Sequence, residues 1–203
     1  MNRYGRNLYP WIRDLHLYLG LFVSPFVLVF AVSTLLFNHT GMPSSAEPET
    51  HIKTVPVEIP EGLERIPQAQ AIMRQVGVSG EIRNIFRRKD RLIIPVMKPG
   101  QNTTIKVNLT SRMAEVTQRE TGFWDRLLYL HKSPGPHMAA IRGNWIFTRL
   151  WIWLVDATVY LVLFISASGI YLWAVIKTER KTGLILLGVG AVSFVLSVSA
   201  AIF

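Results

Sequence analysis

Residues 20–37 read GLFVSPFVLVFAVSTLLF, a stretch without one charged side chain. A bilayer core needs about 20 apolar residues of helix. Extending the run back to Leu15 supplies them. Tyr9, Trp11 and Tyr18 stand near its first boundary, where interfacial aromatics belong. Pro25 lies inside the run; in a membrane it is tolerated and is expected to bend the helix. A cleaved leader would carry an apolar region of about 7–15 residues. This one is longer, and the SSA at 44–46 is a weak cleavage-like site, so a retained anchor is expected.

Two more stretches share this character. The second is LWIWLVDATVYLVLFISASGIYLWAVI, bracketed by Trp145, Trp151 and Trp153 at one end and Tyr171 and Trp173 at the other. It holds a single acid, Asp156. The third is GLILLGVGAVSFVLSVSAAIF, which has no charge. Ser193, Ser197 and Ala201 recur in it every four positions, the small-residue spacing that lets helix backbones approach. A charged side chain at mid-helix costs about 2.5–3.5 kcal/mol on insertion scales, so such charge-free windows are what a bilayer selects. The chain as a whole is 17% charged and 50% hydrophobic, against roughly 25% charged in ordinary soluble domains.

The expected fold class is therefore a membrane α-helical bundle of three transmembrane helices with one small extracytoplasmic α+β domain. The expected organisation is an N-terminal segment and first span over 1–40, a linker over 41–62, the α+β domain over 63–120, an amphipathic interfacial segment over 121–145, a second span over 146–177, a short link over 178–182 and a third span over 183–203. Arg3, Arg6 and Arg13 precede the first span, and Lys177, Arg180 and Lys181 lie between the second and third. The positive-inside rule makes both flanks cytoplasmic, so loop 38–145 is expected to be periplasmic.

Within that loop the linker is rich in Pro, Ser and Glu. Residues 67–76 (PQAQAIMRQV) read as a short helix closed by Gly77. Strand-like runs follow: GEIRNIFRR, RLIIPVMK, TTIKVNL and, more weakly, RMAEVTQ, with Lys89-Asp90 and Pro99-Gly100 as turns. Ile72, Ile82, Ile85, Ile93, Val96, Ile105, Val107 and Val116 are the expected core. Phe123, Leu127, Leu128 and Leu130 form an apolar stripe beside Asp125 and Arg126, the pattern of a helix lying on a membrane surface.

There is no cysteine, which excludes thiolate-held iron–sulfur clusters, covalently attached haem and disulfides. The net charge is +9. Part of it is a cluster of Arg83, Arg87, Arg88, Lys89 and Arg91, which suits anionic lipid or an acidic partner, or is simply a solvated strand; nucleic acid is not expected. No phosphate-binding glycine loop and no GxSxG or HExxH motif is present.

Five histidines remain. His51 lies in the polar linker and reads as a solvated residue. His16 and His39 are separated by roughly 34 Å of helix, on opposite membrane faces, and cannot share one metal. His39 and His131 (or His137) fall on the same outer face. Two neutral imidazoles on neighbouring helices are what a six-coordinate haem b requires, with Phe37, Trp145 and Phe147 suited to a haem edge. The plain alternative is that these are amphipathic interfacial residues. Zinc is less favoured, because no acidic ligands surround His131. Arg142 is a weak candidate for a propionate or lipid phosphate contact. Asp156 either faces a proton or ligand pathway or is a shallow acid bonded to a neighbouring helix.

The segment WIRDLHLYLGLFVSPFVLVFAVSTLLFNH resembles the first helix of the PepSY-associated transmembrane helix family, with its Leu15-His16 to Gly20 opening and its Leu36-Phe37-Asn38-His39 close. Leu130-His131 and Ser168-Gly169-Ile170-Tyr171-Leu172-Trp173 resemble that family's later elements, and the loop resembles one PepSY module ending at Val107-Asn108-Leu109-Thr110. Larger members resemble ferric-siderophore reductases and other haem-carrying iron-uptake proteins. The resemblance implies an inner-membrane haem b protein, a ferric reductase or an electron-transfer subunit. It would pass electrons from quinol to a periplasmic acceptor, with His39 and His131 as first-choice ligands, His16 on the other face, and His137 and Arg142 nearby. The chain is shorter than the reductases and carries Ser33-Thr34 where members often have SG or TG. The competing expectation is a non-catalytic accessory or structural subunit, with membrane lipid, a larger membrane complex or a second copy of the chain as partners.

Overall fold

The computed structural model describes residues 3–39, 49–132, 141–176 and 180–202. Three helices are long and apolar enough to cross a membrane: α1 (Arg3–Asn38), whose apolar part is Leu8–Asn38, α4 (Ile146–Val175) and α5 (Arg180–Ile202). In hydrocarbon every backbone polar group must find its partner within the segment, so an uncharged apolar run of this length becomes helix. α1 is one element through both Pro10 and Pro25. Beside Pro25 the Ser24 hydroxyl donates to the Gly20 carbonyl at 2.6 Å.

The chain divides into two compact units, 1–27 with 157–203, and 28–156. In the first unit, the start of α5 passes so close to Trp173 that any side chain at Gly183 would meet the indole. No residue of α5 is buried.

The second unit contains a sheet of six antiparallel strands: β1 (Thr50–Pro56), β2 (Glu81–Ile82), β3 (Phe86–Arg88), β4 (Arg91–Lys98), β5 (Gln101–Asn108) and β6 (Met113–Glu120). Their order is β1-β6-β5-β4-β2, with β3 also paired to β4. One helix, α2 (Arg65–Gln75), packs on one face. The core joins Ala69, Ile72, Met73 and Val76 from the helix region to Ile82, Ile85, Leu92, Ile94, Val96, Ile105, Val107, Ala114 and Val116 from the sheet side. Three membrane-crossing helices and this separate α+β domain are the architecture expected from the sequence.

Several details differ. The stretch read as linker contributes β1, which pairs with β6 along its whole length, from Thr50 opposite Arg119 to Pro56 opposite Met113. Its side chains are exposed on both faces apart from a half-buried Val55, so no alternation betrays it. The run GEIRNIFRR is two short strands rather than one. Asn84 breaks it by accepting the Ile85 N–H on its own side-chain oxygen at 2.8 Å. In β4 the buried phase is Leu92, Ile94 and Val96, so Ile93 is not a core residue. The register pairs Ile94 with Ile105, both fully buried, and sends Ile93 to the opposite face.

Candidate functional site

The domain is fixed to the residues before α4 by side-chain hydrogen bonds centred on Asn144. Asn144 accepts the Ile82 N–H at 3.0 Å and donates to the Ile82 carbonyl at 2.9 Å, so its amide acts as a strand partner for β2. The same amide donates to the Ile141 carbonyl at 2.7 Å. Gln70 on α2 donates to the Asn144 carbonyl at 3.0 Å, and the buried Glu81 carboxylate accepts the Gly143 N–H at 2.9 Å. A two-residue edge strand is thereby covered rather than left open for another chain to pair with.

The surface helix expected after the domain is α3 (Phe123–Lys132), which carries His131 near its end. The His131 ring nitrogen Nδ1 lies 2.9 Å from the hydroxyl of Ser33, a residue of α1 that is 2% exposed. That hydroxyl donates its one proton to the Phe30 carbonyl at 2.8 Å. With that proton used, the oxygen is placed to accept from the ring, which is the tautomer with the hydrogen on Nδ1 and the lone pair on Nε2. The ring stacks on Phe37, with centroids 5.9 Å apart, and the Lys132 ammonium sits 4.6 Å from the Phe37 centroid. Trp151 of α4 donates to the Leu130 carbonyl at 3.2 Å and packs on Phe30, bracing α3 from the other side.

The other unit repeats the arrangement. The His16 Nδ1 lies 2.8 Å from the hydroxyl of Ser168, which is 5% exposed. Ser168 donates to the Phe164 carbonyl at 2.6 Å, with Ile165 at 3.1 Å. The same proton count suits the His16 tautomer with its hydrogen on Nδ1. Each Leu-His element thus meets a buried serine on a separate helix.

His39 is exposed, and its Nδ1 lies 2.9 Å from the Leu35 carbonyl of its own helix. His131 rests against the face of α1 that carries Ser33 and Phe37. His39 lies two residues beyond Phe37, roughly 200° around the helix. No hydrogen bond or ring contact joins His39 to His131 among the described residues. His137 lies outside the described residues. Arg142 is exposed in the turn before α4 and is engaged by a neighbouring group. Asp156 is exposed on α4, with no hydrogen bond or ion pair to it among the described residues. His51 is exposed beside Glu49, 3.8 Å away.

A cavity of about 490 Å³ opens beside these residues, lined by Tyr129, Leu130, Trp145, Phe147, Thr148 and Trp151 among others. Its lining is almost wholly apolar and rich in rings, and its size suits a small organic molecule.

Residues 10–202 match the family model described as "Putative PepSY_TM-like". The chain belongs to this family. The α+β unit is accordingly its PepSY-like domain, and the protein is a membrane protein in contact with lipid through its spanning helices. No curated protein matches the chain, and no solved structure does.

Imidazole is a donor type that suits haem iron, but no contact joins two histidines among the described residues, so the imidazole pair of a six-coordinate haem is not seen within one chain. His16 and His131 in this PepSY_TM-like chain each have Nδ1 committed to an oxygen, which orients the ring and leaves Nε2 as the electron-pair donor, the arrangement seen behind metal-bound histidines. Sequence reasoning missed the two serines as partners. No local signal marked them, because each lies on a different helix from its histidine, 98 and 152 positions away in the chain. Asn144 left no signal either, because a lone Asn in a turn before a helix is ordinary.

Proposed function

We propose that this PepSY_TM-like protein is an inner-membrane electron-transfer subunit carrying haem b. In this reading it takes electrons from quinol and passes them to a periplasmic acceptor, with chelated ferric iron as the acceptor. The observation that supports the reading is that His16 and His131 each place Nδ1 against the hydroxyl of a buried serine, which leaves Nε2 as a donor when the hydrogen is on Nδ1. Bound haem would supply a one-electron centre. The chain's own residues do the positioning. Ser33 and Ser168 orient the imidazoles, Phe37 backs the His131 ring, and Trp151 holds the end of α3 in place. A second copy of the chain supplies the second imidazole, since His39 stands on the other side of α1. The aromatic cavity beside Leu130 is the quinol site in this scheme. The positive flanks at Arg3, Arg6, Arg13, Arg180 and Lys181 support a cytoplasmic N-terminus and a periplasmic domain.

The test is a visible spectrum, oxidised and dithionite-reduced, of protein expressed with added haem precursor. The expected result is a Soret band that is weakened in His131→Ala and in His16→Ala, lost when both are replaced, and kept in His39→Ala. Purified wild-type protein without a Soret band would overturn the reading.

A second reading, an accessory subunit of a larger membrane complex, is favoured by α5. No residue of that helix is buried, so its surface is available to another protein. Co-purification of a partner in mild detergent would support it, and a clean 23.0 kDa monomer would count against it.

A further inference from the structure

Away from the histidines, the PepSY-like domain carries a cleft of about 500 Å³ where the start of α2 meets the β3 edge and the β5–β6 turn. Its rim holds three guanidinium groups, Arg65, Arg87 and Arg112, against one carboxylate, Glu61. Its apolar lining comes from Ile59, Leu63 and Leu109.

Each arginine is placed by the fold. Arg65 opens α2 and donates through one terminal nitrogen to the Ile85 carbonyl at 2.7 Å, which holds the group at the cleft with its other donors unused among the described residues. Arg87 pairs in register with Leu92, a buried residue, so it lies on the sheet face that carries α2; Arg88, its neighbour, lies on the other face. Arg112 closes the β5–β6 turn at φ 53°, a left-handed conformation that L side chains rarely adopt. The turn is fastened by Asn108, whose side-chain oxygen accepts the N–H groups of Thr110 and Ser111. The Arg112 carbonyl accepts the Val57 N–H at 2.9 Å, which ties the residue to β1's exit. Neither Arg87 nor Arg112 makes an ion pair among the described residues.

The helix end adds to the same field. The Glu64 side chain makes no capping bond to α2, so the positive pole of the helix faces the cleft uncapped. Among the residues lining the cleft, three cations stand against one acid, Glu61, so its lining carries a net positive charge. Guanidinium forks match carboxylate and phosphate oxygens two at a time. A bare inorganic ion would leave the aliphatic lining wet, whereas an apolar body carrying several oxyanions would cover it.

We propose that this cleft binds a small organic polyanion, one with two or more carboxylate or phosphate groups on an apolar body. The site is independent of the haem reading and stands whether or not haem binds.

The experiment is titration calorimetry of the full chain in a neutral detergent at low salt. Benzene-1,3,5-tricarboxylate serves as the probe and pyrophosphate as an oxyanion without an apolar body. Expected is saturable binding of the tricarboxylate, weakened about tenfold or more by Arg87→Ala or by Arg112→Ala and unchanged by Arg88→Ala, which removes the same charge from the other sheet face. Pyrophosphate binding more weakly than the tricarboxylate supports the apolar lining as part of the site. No saturable binding, an equal loss in Arg88→Ala, or pyrophosphate binding as tightly as the tricarboxylate would each overturn the proposal. Circular dichroism of each variant checks that the sheet is intact; all three arginines substituted are exposed, so folding is expected to be kept.

Discussion

Asn144 and Ile82 bond each other twice, side-chain amide to backbone, at 3.0 and 2.9 Å. A single residue before α4 thereby completes the edge of the domain's sheet. Replacing it with Leu would strand the N–H and the carbonyl of Ile82 and the carbonyl of Ile141. The expected cost is about 3 kcal/mol or more in the attachment of β2, since buried groups left unpaired lose about 1–3 kcal/mol each. Hydrogen exchange at the Ile82 amide reads this directly. Asn144→Asp is expected to be nearly as damaging, because it keeps the acceptor and removes both donors. Exchange at Ile82 as slow as in the wild type would contradict the role given to the clamp.

Ser33→Ala removes the oxygen that His131 donates to, and Ser168→Ala does the same for His16. Each is expected to cost about 1–2 kcal/mol in local stability. The more telling readout is the imidazole tautomer. Nitrogen NMR of selectively labelled histidine should show Nδ1–H in the wild type and a mixed population at the affected ring in each alanine variant. Thr at either position should restore the single tautomer if the hydroxyl is the cause.

Gly80 has φ 149°, and a methyl group there would stand 2.8 Å from the Val96 side chain and 2.9 Å from the Met97 carbonyl oxygen. Both the dihedral and the space disfavour any side chain, so Gly80→Ala is expected to destabilise the domain by about 2 kcal/mol or more. In a domain of this size, each kcal/mol moves the midpoint by about 4–8 °C. Thermal unfolding followed by the domain's β-sheet signal gives the comparison.

Ile93 and Ile94 are neighbours on β4 with opposite fates. Ile94→Ala should cost about 2–5 kcal/mol, the usual range for emptying a buried site. Ile93→Ala should cost less than half as much, because its side chain is on the half-exposed face. Equal losses would mean that the strand phase is wrong.

That pair also shows where the sequence was legible and where it was not. The three spans were plain because a bilayer tolerates so few charges that their absence marks each helix. The turns at Lys89-Asp90 and Pro99-Gly100 were plain as well, since both residue pairs favour reversal, and both separate antiparallel strands. The run of Leu92, Ile93 and Ile94 could not reveal which residues face the helix, because a continuous apolar stretch carries no alternation. Only pairing with Ile105 settles it. β1 was hidden for the opposite reason: an edge strand with both faces open buries too little to leave a pattern. For the site, the histidines could be named but not their partners. Ser33 pairs with His131 across 98 positions of sequence, and Ser168 with His16 across 152, distances that no local pattern spans.

The first and last strands of the domain lie side by side, with Thr50 opposite Arg119 and the Glu120 N–H donating to the Glu49 carbonyl. The chain therefore enters and leaves the sheet through one doorway. A domain tethered this way is a detachable cassette: a brief loop joining residue 49 to residue 121 would excise it without stretching the polypeptide on either side. Force applied at those two ends would open the sheet like a zipper, one β1–β6 rung at a time, instead of shearing every rung at once.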